Sequence, residues 1–158
     1  MADLEYDIVV QAIETLLDEV IQGPDRRNWL LNQGDIGFLG TLRRMTPDQA
    51  IRHPIPHRAC AAGHAHHIWF HLNLLNRAYQ GEPSFANANW ASSWEVGDLT
   101  ADKWLAILDA LEHEVKDFRQ CLAKQPTFDI TGLTATLATI VHIGYHLGAV
   151  RQLVGLVK

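Results

Sequence analysis

The chain has 158 residues, which suits one domain and leaves little room for a second. Apolar residues make up 47% and charged residues 20%, a balance that excludes an intrinsically disordered chain. The formal net charge of −5 argues against nucleic acid as a partner, because phosphate recognition needs concentrated Lys and Arg.

The chain opens Met-Ala-Asp-Leu-Glu, with acid where a secretory signal would carry base. A first amphipathic helix is expected over 4–22, because Val9, Ile13, Leu16 and Val20 recur at three- and four-residue steps. Glu5, Asp18 and Glu19 suit its outer surface, and Gly23–Pro24 ends it. The stretch 25–45 is broken by Gly34, Gly37 and Gly40, yet it holds Trp29, Ile36, Phe38, Leu39 and Leu42. It reads as a packed connection with one or two short helical turns. In Thr46-Pro47-Asp48-Gln49, Thr46 can cap, Pro47 suits the first helical position and Gln49 completes a capping box. A brief helix is expected there, ended before Pro54 and Pro56.

A second long helix is expected over 57–80, with Pro56 at its start, Gly81 beyond its end and an apolar stripe of Ile68, Leu72, Leu75 and Tyr79. The connection 81–99 contains Pro83, Trp90 and Trp94. Connections this long are uncommon unless they do something, so it is expected to be a lid or wall of a site, or a plug over one end of a bundle. A third helix is expected over 101–124, capped by Thr100 and stapled by Leu99 and Trp104. Its apolar positions are Trp104, Leu108, Leu111, Val115, Phe118 and Leu122, and Pro126 closes it. The fourth, from 131 to the C-terminus, is apolar over a wide arc and is expected to be the most buried. Its Gly144 and Gly148, each costing about 1 kcal/mol against Ala in a helix, are expected where another backbone or a ligand comes close.

No segment alternates like a strand, and no apolar run reaches the ~18 residues of a membrane span. Cys60 and Cys121 form no CxxC and are expected as free thiols of a cytoplasmic protein with no membrane partner. The expected fold is all-α: one domain over 1–158, a four-helix bundle with long connections between helices 1 and 2 and between helices 2 and 3.

The unusual feature is nine histidines, with His64, His66, His67 and His71 close together. Imidazole both titrates near neutrality and ligates transition metals. His142 and His146 are one helical turn apart and can share an ion. The glutamate of HExxH is missing, so this turn carries no zinc-protease base. His64, His67 and His71, at steps of three and four, share one face, with His66 rotated about 100° away. Two such helices facing each other can bring three imidazoles to within about 2.1 Å of one ion. Spacing does not choose among His64, His67 and His71. Alternatively, these histidines decorate a partly exposed face or a dimer contact.

On His66-His67-Ile68, on His142-x-x-x-His146-Leu-Gly and on Gly-Ala-Val-Arg-Gln-Leu over 148–153, the chain resembles the DinB/YfiT-like superfamily of metal-binding four-helix bundles. The order of helices and connections is similar as well. The resemblance implies that His67 joins His142 and His146 as metal ligands. It also implies homodimers and a nickel or zinc ion with open, water-filled positions, iron and manganese being further candidates. Characterised members include transferases and isomerases that use low-molecular-weight thiols. His64 and His71 fall outside that triad and are expected as hydrogen-bonding support behind the ligands.

Three neutral imidazoles leave a divalent ion its full charge. Such an ion lowers the pKa of bound water to about 7, binds thiolates and polarises carbonyls. The expected function is a metal-dependent enzyme, a hydrolase or thiol-dependent transferase, acting on a small-molecule substrate or low-molecular-weight thiol. The alternative is a non-catalytic metal-binding or stress-response protein with a structural metal. Trp94 is expected to shape the pocket. Arg151 is a candidate for holding a substrate carboxylate, or else a surface or dimer-contact residue. Tyr145 could donate a proton at the site, but about 100° of rotation from each flanking histidine it is expected in the core. Exposed apolar faces on the first and fourth helices suit the pairing of two copies.

Overall fold

In a computed structural model, residues 6–125 and 127–157 are described. All regular structure among them is helical. The elements are α1 (Tyr6–Gln22), α2 (Phe38–Arg43), α3 (Pro47–Ile51), α4 (Ala61–Tyr79), a 3-10 turn (Ser92–Trp94), α5 (Ala101–Lys124) and α6 (Ile130–Leu156). Of the sequence expectations, residues 4 and 5 of the first helix and Pro126 lie outside the described residues.

Helix α1 buries Ile13, Leu17, Val20 and Ile21, while Val9 and Leu16 pack at the edge of the core. Glu19 is also buried, not on the outer surface as its charge suggested. Its Oε1 accepts from the backbone amides of Trp29, Leu30 and Leu31 at 2.9, 2.8 and 2.7 Å, so the carboxylate anchors the connection that follows. Gly23 then turns the chain at φ 109°, where a Cβ would lie 2.6 Å from the Asp35 carbonyl oxygen. Gly37 is required by contact: a Cβ there would stand 2.4 Å from the Ile21 backbone. The expected helical turn in this stretch is α2, and the expected brief helix is α3. The α3 capping box is present, with Gln49 N donating to Thr46 Oγ1 at 3.3 Å and Thr46 N to Gln49 Oε1 at 2.9 Å.

The histidine-bearing helix starts at Ala61, four residues later than expected. Pro54 and Pro56 restrain the chain before it, and His57 adopts φ 60°, a left-handed conformation that breaks helical continuity. Cys60 caps the helix, its Sγ accepting from Gly63 N at 3.4 Å. Helix α5 keeps its expected bounds and Thr100 cap, and all six of its predicted apolar positions are buried. Asn76 of α4 donates to the buried Glu114 of α5, at 2.9 Å to the carbonyl and 2.8 Å to Oε2, which fixes the register of the two helices.

Helix α4 packs on α5 and α6, and α1 packs on α6 and α5. Helix α6 buries Ile140, Ile143, Leu147, Val150 and Leu153. It is not the most buried helix, as its wide apolar arc suggested: eight of its 27 residues are buried against ten of 19 in α4, and Val141 is 71% and Tyr145 70% exposed. The helix is apolar on every side but packs on only one. No other backbone comes close at Gly144 or Gly148. A Cβ at Gly144 would make ordinary contact with Val20 at 3.7 Å, and one at Gly148 would meet nothing within 4 Å. By length and composition Ile130–Leu156 is apolar enough to cross a membrane, although no uninterrupted apolar run signals this, because Thr, His and Gly are interspersed. Its packed side joins the core formed with α1 and α4.

Candidate metal centre

Helices α4 and α6 each turn a histidine stripe toward the other. His67 Nε2 lies 3.3 Å from His142 Nε2, and His142 Nε2 lies 2.8 Å from His146 Nε2. One ligand nitrogen from each of the three rings falls within 4.8 Å of the other two. Nitrogens bound at about 2.1 Å to a tetrahedral ion would stand about 3.4 Å apart, so the spacing fits a shared cation. His67 and His146 are buried and His142 is half-buried. The group therefore fits a divalent ion held by three imidazoles with no carboxylate among them.

The surrounding hydrogen bonds determine which nitrogens are free. Ser93 Oγ donates to the Trp90 carbonyl at 2.6 Å, so at 2.7 Å from His67 Nδ1 it accepts the ring proton. His67 thus carries its proton on Nδ1 and presents a bare Nε2 to the cluster. Thr139 acts likewise: its hydroxyl donates to the Ala135 carbonyl at 2.9 Å and accepts from His71 Nε2 at 3.0 Å. His71 is tied up in that bond, beside the cluster but outside the triad. His64 Nδ1 meets His146 Nδ1 at 2.6 Å; when His146 keeps Nε2 bare, its Nδ1–H donates to His64. His66 points elsewhere and donates from Nδ1 to the Ser93 carbonyl at 2.8 Å. The adjacent pair His66–His67 therefore grips one serine, by its carbonyl and its hydroxyl.

Burial disfavours protonation of these rings, and neighbouring imidazoles add to the effect. It lowers His64, His67 and His71 to about 4. His142 is lowered by burial as well, and His146 is depressed the most, first by burial and then by the four rings around it. All five are neutral at pH 7, the state in which imidazole binds a metal.

A cavity of about 1040 Å³ opens on the cluster, with His64, Trp94, Tyr145 and the three ligand candidates in its wall. Trp94 stacks on His67 with centroids 4.0 Å apart and planes 14° apart. The connection 81–99 is thus a wall of the cavity at its 3-10 turn, and with Trp90 40% and Trp94 38% exposed it is no buried plug. Tyr145 lies at the cavity, not in the core. Arg151 does not line the cavity. Its Nη1 donates to Asp35 at 3.1 Å and its Nη2 to the Ile36 carbonyl at 2.7 Å. Five residues beyond His146 is a rotation of about 140°, which carries Arg151 off the histidine face. Cys60 and Cys121 are free, buried thiols, and Cys60 borders the cavity.

Two supporting residues escaped the sequence reading. Thr139 was accessible to it, since it stands three residues before His142 on the same face. Ser93 was not, because nothing in a loop sequence says which hydroxyl will reach an imidazole. No protein-family model, curated protein or solved structure significantly matches the chain.

Proposed function

We propose that this chain is a metal-dependent enzyme, a four-helix bundle of the DinB/YfiT-like kind, that uses His67, His142 and His146 to hold a nickel or zinc ion and acts on water or a low-molecular-weight thiol. The carrying observation is the convergence of three imidazole nitrogens beside an open cavity. A bound divalent ion would supply Lewis acidity there, lowering the pKa of a coordinated water or thiol. The chain's own residues do the positioning. Ser93 holds the His67 ring, Trp94 shields one face of it, and His64 braces His146. Among the described residues the group has three members, which leaves positions for an exogenous ligand. A closed structural site would have a fourth. The exposed α6 stripe of Ile130, Leu137 and Val141 supports pairing of two copies, and a monomer in gel filtration at micromolar concentration would contradict that part.

The test is cobalt substitution. The reading expects one cobalt per chain, a visible spectrum that shifts with azide or 2-mercaptoethanol, and helical content retained after chelation. A spectrum indifferent to both ligands, with unfolding on metal removal, would mark a structural site instead.

A further inference from the structure

The chain is acidic overall, with 18 Asp and Glu against 13 Lys and Arg. Yet no Asp or Glu lies among the residues that line the cavity beside the histidine cluster. The charged side chain there is Arg58, with His53 and His57 next to it, all on the connection between α3 and α4. Among the described residues Arg58 makes no salt bridge, like Arg26, Arg27, Arg44 and Arg52, and of these only Arg58 lines the cavity. The loop is built to hold this arrangement. His53 Nδ1 donates to the Arg58 carbonyl at 2.9 Å. His57, in the same wall, sits at φ 60°, the one positive φ outside glycine among the described residues. A side chain held in that region is strained, and such residues concentrate where a site needs them.

We infer that the cavity takes an organic anion, its acid group held by Arg58 with His57 while its other end reaches the histidine cluster. The reasoning is electrostatic. A wall with a free guanidinium and no carboxylate sets a positive potential over the cavity, and low-dielectric walls focus it. A guanidinium is also the side chain that pairs with a carboxylate through two parallel hydrogen bonds. This deepens the proposed function and rests on it for the second contact, because a cation at the cluster would favour a thiolate or carbonyl at the anion's far end.

The probes are 6-mercaptohexanoate and 6-mercaptohexanol, which differ only in charge at the end remote from sulfur. Binding is read by tryptophan fluorescence in metal-free protein and by the visible spectrum of the cobalt form. The carboxylate should bind about tenfold more tightly in both forms. Arg58→Gln should abolish the difference while leaving cobalt affinity and mercaptohexanol affinity unchanged. His57→Gly should raise the melting temperature by relieving the backbone and still weaken the carboxylate probe, a combination that a purely structural role would not produce. Equal affinity for the two probes in either form, or a preference that survives in Arg58→Gln, would overturn the anion site. Failure to bind cobalt, with the anion preference intact in metal-free protein, would remove the metal reading and leave the anion site standing.

Discussion

Ser93 Oγ stands 2.7 Å from Nδ1 of His67 and gives its own proton to the Trp90 carbonyl, so it can only accept from the ring. One loop hydroxyl thereby sets the tautomer of a buried imidazole and frees the nitrogen that faces His142. Outer partners of this kind are worth about 10- to 100-fold in metal affinity. Ser93→Ala should weaken zinc binding by about that factor in chelator competition, with the helical spectrum preserved. Unchanged affinity would mean that the ring is held by packing against Trp94 alone.

His67→Ala, His142→Ala and His146→Ala should each abolish stoichiometric zinc binding in equilibrium dialysis. His66→Ala should retain it, because that ring turns toward the Ser93 carbonyl and not toward the cluster. Loss of zinc in His66→Ala together with retention in His67→Ala would reverse the register assigned to α4.

The metal-free protein should lose stability on mild acidification. His64, His67 and His71 titrate near 6.5 when unfolded and near 4 when folded. Between those values the unfolded chain binds more protons than the folded one, so stability is full above pH 6.5 and falls as pH drops toward 4. Urea midpoints measured from pH 8 to pH 4 should fall across that window. A flat profile would place these rings in solvent contact.

Glu19 ties α1 to the connection that follows it. Burial would raise its pKa, but the amides of Leu31, Leu30 and Trp29 outweigh it and hold the carboxyl below its ordinary range. Its contribution is therefore complete above its unfolded pKa and is lost as pH falls through the lower folded value. Glu19→Ala strands three amides and should cost about 3 kcal/mol in chemical denaturation. A cost below about 0.5 kcal/mol would show that water replaces the carboxylate freely.

Much of this was legible because it is periodic. Helix α5 could be read to the residue, since Thr100 and Pro126 bracket one continuous apolar stripe in the sequence. The His142/His146 pair needed only the pitch of a helix. What escaped depended on contacts between distant segments. Glu19 looked like a surface acid because its partners are backbone amides ten to twelve residues on. The start of α4 was misplaced because Pro56 resembles a helix opener, whereas His57 at φ 60° delays the first turn to Ala61. Arg151 looked available for a substrate because sequence does not show that Asp35 and the Ile36 carbonyl reach it first. Helix α6 looked buried because hydropathy does not reveal how many sides find a partner.

The convergence of three imidazoles on one cation is tested most directly by X-ray absorption at the zinc edge of protein loaded with one equivalent of zinc. The expected spectrum shows three imidazole nitrogens at about 2.0–2.1 Å with one or more light oxygen scatterers completing the shell. A first shell containing sulfur from Cys60, or fewer than three imidazoles, would contradict it.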